Sequence, residues 1–253
     1  MKAEALVIDA DGHILEPPDL WEKYLEEKYR PRAIRVRVGD DGYEYLEVDG
    51  KRAKMTRQGQ LGTLGGMGKQ VEEARRRREQ FISAGKADQL RFEKPRPEDT
   101  YLKGAAFGTM DMKERLQLLD QEGMAKSILY PTIGLLWECE TMDPELSAVY
   151  CRAYNRWIAD FCRDSGGRLI PIAHLSLGDP DAAARELERA VKDGCRGAFV
   201  APFTITRRPH ADSAHDRVFA VAQDCGVPLA IHPTLEPPAF GVFHRYDNFG
   251  WAA

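Results

Sequence analysis

From residue 112 to residue 231 the chain alternates helix-period and strand-period apolar patterns, and glycine punctuates the returns. Leu116, Leu118 and Leu119 mark a helix over 112–121 that stops at Gly123, and Ser127-Ile128-Leu129-Tyr130 reads as the strand after it. Asp143-Pro144-Glu145 carries an N-cap residue and a first-turn proline. Behind it Leu146, Val149, Tyr150, Tyr154, Trp157, Ile158 and Phe161 recur at three and four, until Gly166-Gly167 ends the pattern. The strand Leu169-Ile170-Pro171-Ile172-Ala173 follows. The cycle then runs twice more: a helix from Asp179-Pro180 to about 191 before the strand 197–201, and a helix over about 213–224 before the strand 228–231. Strands joined by helices through short returns form a parallel sheet covered by helices.

With 253 residues and 43% hydrophobic content, the chain can bury a sizeable core, as one large domain or two small ones. Its 36 basic and 40 acidic residues leave a net charge of −4, which gives no electrostatic reason to bind nucleic acid or an anionic membrane. No apolar run approaches the roughly 18 residues that cross a bilayer. The opening run Ala5-Leu6-Val7-Ile8 closes at Asp9, too short for the core of a signal peptide. Five widely spaced cysteines, with no CxxC pair, fit reduced, buried thiols. A soluble, cytoplasmic protein is expected.

The segment from about 34 to 108 breaks the alternation. Ile34 to Val38, the turn Gly39-Asp40-Asp41-Gly42, and Tyr43 to Val48 read as a β-hairpin. The glycine-rich stretch from Gly62 to Lys69 is a loop but not a phosphate loop, since Thr63 and Gln70 stand where that motif needs Gly and Ser or Thr. The basic run from Arg75 to Arg78 has Glu72, Glu73 and Glu79 at helical pairing distances, which points to a self-paired, solvated face. The whole segment is expected to be an insertion over the mouth or side of the main fold.

The first strand carries the most chemistry. In Val7-Ile8-Asp9-Ala10-Asp11-Gly12-His13, the residues Asp9, Asp11 and His13 stand at i, i+2 and i+4, which puts all three on one face of an extended chain. Ionisable groups crowded there need a partner, and a divalent cation is one. The alternative is that Asp9 caps the next segment and His13 is a satisfied loop histidine. Leu229-Ala230-Ile231-His232-Pro233 places a second histidine at the C-terminal end of a later strand, the end that faces the active site in a (β/α) barrel, although a histidine so placed, taken alone, is more often structural. His174 ends another strand and could line the same rim; His244, in a polar loop, could reach a substrate. His210 and His215 flank a helix start and read as surface or capping residues. No Gly-x-Ser-x-Gly elbow or Cys–His–Asn context suggests a nucleophilic triad.

The opening motif, continued by Glu16-Pro17-Pro18-Asp19-Leu20-Trp21, resembles the N-terminal signature of the amidohydrolase-related family, often called amidohydrolase 2. Aminocarboxymuconate-semialdehyde decarboxylase and other metal-dependent decarboxylases are members. Ile231-His232-Pro233 is similar to the family's mid-chain metal-histidine motif, and Gly197-Ala198-Phe199-Val200 to the strand before it. The resemblance implies an α/β fold of the (β/α)8 TIM-barrel type. Residues 1–253 would form a C-terminally incomplete barrel domain with about five of eight strands, interrupted by the insertion at about 34–108. It further implies one divalent metal ion, Zn2+ or Mn2+, held by Asp11, His13 and His232. Asp11 stands where the family usually has His or Glu, and an added carboxylate ligand favours a harder ion, so manganese competes with zinc. The family's later catalytic carboxylate has no counterpart before Ala253, so no catalytic residue is assigned.

The activity implied is decarboxylation of an aromatic or unsaturated carboxylic acid. Metal-dependent hydrolysis of an ester, lactone or amide is the alternative, and an inactive fragment is a third reading. The expected partners are the small carboxylic acid, bound with help from His244 and His174, and a second copy of the chain in a homodimer, with no nucleic acid and no membrane.

Overall fold

The computed structural model describes residues 6–65, 76, 78–86 and 96–237. Strand β1 (Ile8–Ile14) leads into the short helix α1 (Leu20–Tyr24), followed by β2 (Arg35–Val38), β3 (Glu44–Val48) and β4 (Lys51–Arg52). Then come α2 (Met112–Glu122), β5 (Lys126–Pro131), α3 (Gly134–Trp137), α4 (Pro144–Cys162), β6 (Leu169–Leu175), α5 (Pro180–Asp193), β7 (Gly197–Val200), α6 (Asp216–Cys225) and β8 (Leu229–Ile231). The Gly62–Lys69 loop is described only as far as Gly65, the Arg75–Arg78 run only in part, and the tail after 237 lies outside the described residues.

The main sheet is all parallel in the order β1-β5-β6-β7-β8, which is also chain order. An unreversed order means that every helical crossover lands on the same side, as in a barrel rather than a doubly wound sheet. The side chains agree. Leu129, Leu169, Ala173, Leu175, Ala198 and Val200 point to the helices and join one large core with Leu146, Val149, Tyr150 and Ile158 of α4. Tyr130, Ile172 and Phe199, with Ile128 and Ala230 beside them, form a separate cluster on the inner face.

The helices begin and end as their sequences dictate. Asp111, Asp143 and Asp179 cap α2, α4 and α5, each side chain accepting backbone N–H groups of the first turn. Gly123 closes α2 in the left-handed conformation (φ 69°), where a side chain would be strained.

The predicted hairpin is present: β2 and β3 pair antiparallel with Arg35 opposite Glu47, and β4 adds a third strand. Arg32 ties this region to the main fold through ion pairs with Asp49 and with Asp143, the cap of α4. Met55 packs against Cys139, Phe203 and Leu235, on connections that follow β5, β7 and β8. This segment therefore reaches the C-terminal rim of the sheet.

One expectation fails in an instructive way. Asp9, Asp11 and His13 do not share a face, because β1 is bulged between Asp9 and Gly12. Asp9 is level with Ser127 and Gly12 with Leu129, so β1 spends three residues where β5 spends two. The extra residue reverses the alternation: Asp9 turns outward to accept the Ser127 hydroxyl at 2.8 Å, while His13 turns inward beside Tyr130. Gly12 permits this, since a Cβ there would lie 2.2 Å from Ser127 Oγ and 2.5 Å from Asp9 Oδ2.

Gly12→Ala is therefore expected to lower the unfolding free energy by about 1–3 kcal/mol, the usual cost of overpacking. Ser127→Ala in the same chain should recover part of that loss, because Ser127 Oγ is the nearest obstacle. Urea denaturation of the two single variants and the double variant checks this; a Gly12→Ala midpoint equal to wild type contradicts it.

Candidate metal centre

The bulge leaves Asp11 and His13 at the C-terminal end of β1, and β8 delivers His232 one residue beyond its last paired position. The His232 N–H still bonds the Val200 carbonyl at 3.1 Å, so β7 sets its height. Asp11, His13 and His232 each offer one ligand atom, and these atoms all lie within 4.8 Å of one another. His232 Nε2 is 3.1 Å and His13 Nε2 3.8 Å from Asp11 Oδ1. The two imidazole centroids are 5.1 Å apart, with ring planes at 71°.

The other ring nitrogens decide what these atoms can do. His13 Nδ1 lies 2.8 Å from the Pro131 carbonyl, and His232 Nδ1 2.8 Å from the Pro233 carbonyl. A carbonyl only accepts, so each Nδ1 carries a proton and each Nε2 is left to face Asp11, with His232 Nε2 at hydrogen-bond distance from Asp11 Oδ1. Burial holds the His13 pKa below its ordinary value, opposed by the Pro131 hydrogen bond and reinforced by the neighbouring His232. Two imidazole Nε2 atoms and a carboxylate oxygen thus converge on one point. That donor set fits a divalent cation, with each imidazole oriented by a backbone carbonyl behind it. The His232 side chain is 11% exposed and that of Asp11 73%, so the cluster is sheltered beneath and open above.

Beneath it lies an aromatic floor. The Tyr130 ring is 4.9 Å from the His232 ring and 6.2 Å from that of His13, and Phe199 is 5.8 Å from Tyr130. His174 stacks on Phe199 at 4.3 Å. Its Nε2 is 3.0 Å from Glu138 Oε2, and its side chain is 0% exposed. His174, expected as a substrate contact, offers no surface to solvent here and supports Phe199 instead. His215, expected at the surface, is fully buried, with Nδ1 on the His210 carbonyl. His244 lies outside the described residues.

Three residues near the site had no role from the sequence: Tyr130, Glu138 and Glu16. Tyr130 was legible in principle, as an alternate residue of β5 with Ile128 on the inner face. Glu16 is fully buried, and its carboxylate accepts the N–H groups of Thr132, Ile133 and Gly134 at 3.1, 2.9 and 2.7 Å. The chain after His13 thus grips the chain after Pro131, whose carbonyl orients the His13 ring. No pattern of apolar spacing announces such a contact.

Comparison with known proteins follows the same lines. Residues 140–252 match the amidohydrolase family model. The chain resembles the amidohydrolase family. γ-Resorcylate decarboxylase from Polaromonas sp. is 28% identical over 152 residues, covering 56% of this chain and 44% of its own length. The chain thus spans less than half of that curated relative. An amidohydrolase structure from Mycobacterium avium subsp. paratuberculosis superposes on 98% of this chain and 63% of its own, with a TM-score of 0.68 and 19% identity. The Polaromonas dihydroxybenzoic acid decarboxylase, solved with manganese and 2-nitroresorcinol, covers 97% of this chain and 54% of its own, with a TM-score of 0.51 and 18% identity. The fold is that of part of a (β/α)8 barrel, five parallel strands covered by helices.

Burial raises the Glu16 pKa from the ordinary 4.5 to about 7, against the pull of its three N–H donors. Between those values the unfolded chain has released this proton and the folded chain still holds it. The contribution to stability is therefore complete below about pH 4.5 and lost as pH rises through about 7. About 3 kcal/mol is at stake at 1.36 kcal/mol per pH unit. Urea midpoints at pH 5 and pH 8 should fall further for wild type than for Glu16→Gln; equal falls contradict the assignment.

Proposed function

We propose that Asp11, His13 and His232 hold one divalent metal ion, Mn2+ or Zn2+, and that the centre serves decarboxylation of an aromatic or unsaturated carboxylic acid. The observation that carries the reading is the convergence of two carbonyl-anchored imidazole Nε2 atoms on the Asp11 carboxylate. Similarity to γ-resorcylate decarboxylase and the manganese in the Polaromonas structure support the class of reaction and the ion.

When bound, the ion supplies Lewis-acid chemistry, polarising the oxygens of the acid and stabilising the negative charge left as CO2 departs. The residues do the rest. Pro131 and Pro233 keep the imidazoles aimed through their Nδ1 protons. The packed Tyr130–Phe199 floor closes the site from below with apolar side chains. Asp11, the most exposed of the three, leaves the approach open on its side.

Several broader elements belong to the same proposal. Residues 1–253 form one barrel-type domain in which 34–108 is an insertion, supported by the separate β2–β4 sheet and by Met55 at the rim. Cytoplasmic residence is supported by five free thiols, and homodimerisation by its being the commonest closed assembly. Among the described residues no helix is long and apolar enough to cross a membrane.

The purified chain loaded with Mn2+ should carry about one ion per monomer, and His232→Ala should weaken uptake at least tenfold, as loss of a ligand does. On a panel of hydroxylated benzoic acids, CO2 should be released without entry of solvent oxygen-18 into the product. Oxygen-18 in the product with no CO2 would establish hydrolysis instead.

A further inference from the structure

Tyr130 is the inner-face residue of β5 at the level of His13, its register partner across the parallel pair. Its ring lies at a tilt of 33° to the His232 ring and 38° to the His13 ring, so one side chain braces both imidazoles. Phe199 closes the far edge at 65°. The residue as a whole is only 9% exposed. The phenolic oxygen makes no hydrogen bond among the described residues, yet it is not among the sealed, unpartnered polar atoms, as the Tyr154 hydroxyl is. The ring is therefore packed and the polar tip left accessible, beside Asp11, His13 and His232.

A buried tyrosine ordinarily finds a partner for its hydroxyl, and one that reaches an opening is satisfied by whatever fills it. Nothing in the inner cluster of Ile128, Ile172, Phe199 and Ala230 can accept a proton through its side chain. An acid seated over Asp11, His13 and His232 would bring acceptor oxygens to that opening. Phenol stays protonated at neutral pH, so the tyrosine donates.

We propose that Tyr130 is a specificity-determining residue. Its hydroxyl donates a hydrogen bond to an oxygen of the aromatic acid, while its ring keeps the His13 and His232 imidazoles in place. The inference rests on the metal-centre reading above and deepens it by naming a contact that selects oxygen-bearing ligands over apolar ones. A hydrogen bond to a charged or polar acceptor lost in this way weakens binding by roughly tenfold.

The test uses the full chain with Mn2+ and 2,6-dihydroxybenzoate as probe. Mn2+ affinity is measured first, by the loss of the free-ion paramagnetic signal, and probe affinity next, by calorimetry. Tyr130→Phe keeps the brace and removes the donor: Mn2+ affinity should stay within about twofold of wild type, while probe affinity falls about tenfold. Tyr130→Leu removes both and should weaken Mn2+ as well. Unchanged probe affinity in Tyr130→Phe, with Mn2+ still bound, overturns the inference and leaves the metal centre standing. A wild-type chain that binds neither Mn2+ nor probe overturns both.

A second measurement does not depend on how the variants fold. In the metal-loaded wild-type chain, the probe should protect Tyr130 from nitration, read by peptide mass spectrometry, while Tyr45 on the separate sheet is nitrated as before. Equal nitration of Tyr130 with and without the probe overturns the inference.

Discussion

Two carbonyl oxygens, those of Pro131 and Pro233, hold the site in its working form. Each accepts the Nδ1 proton of an imidazole at 2.8 Å and so turns the opposite nitrogen toward Asp11. Without those bonds His13 and His232 could rotate away from Asp11. With them, three possible ligand atoms face each other within 4.8 Å, an arrangement that suits a cation. Each of these carbonyls belongs to a proline, which has no N–H to extend the sheet. The same backbone feature thus ends the strand and orients the ring.

The rest of the fold delivers those carbonyls. Parallel pairing of β1 with β5 sets Pro131 beside Ile14 and Tyr130 beside His13. Glu16 fastens the two strand ends together through three N–H groups. Parallel pairing of β7 with β8 lifts His232 to the same rim, where the Val200 carbonyl fixes its backbone. Behind the sheet, α4 supplies the largest share of the outer core, and Asn155 on it reaches through to bond both backbone groups of His174 at 3.0 and 2.7 Å. Strand positions are thereby held by interactions that do not touch the site. This is how a barrel keeps catalytic geometry on its C-terminal face while its stability resides elsewhere.

Much of this was legible in the sequence, for identifiable reasons. Apolar spacing and Asp-Pro starts located α4 and α5, because caps and periodicity are local and strong. His232 followed by proline at a strand end pointed to the rim. The β1 reading failed at a single residue: alternation places Asp9 with Asp11 and His13, and only the three-dimensional pairing with Ser127 and Leu129 reveals the extra residue that separates them. Gly12 was a clue, since a glycine inside a strand often marks a bulge. Glu16 and Glu138 were unreadable for a different reason. Each acts through partners more than thirty positions away in the chain, Glu16 on Ile133 and Glu138 on His174, and no local pattern encodes such a pairing.

The central claim concerns which atoms meet a cation, and pulsed electron paramagnetic resonance of the Mn2+-loaded chain addresses it without reference to turnover. The account predicts nitrogen couplings from two directly bound imidazoles, with one of them lost in His232→Ala. A spectrum of oxygen ligands alone, or nitrogen couplings that survive His232→Ala unchanged, would contradict it.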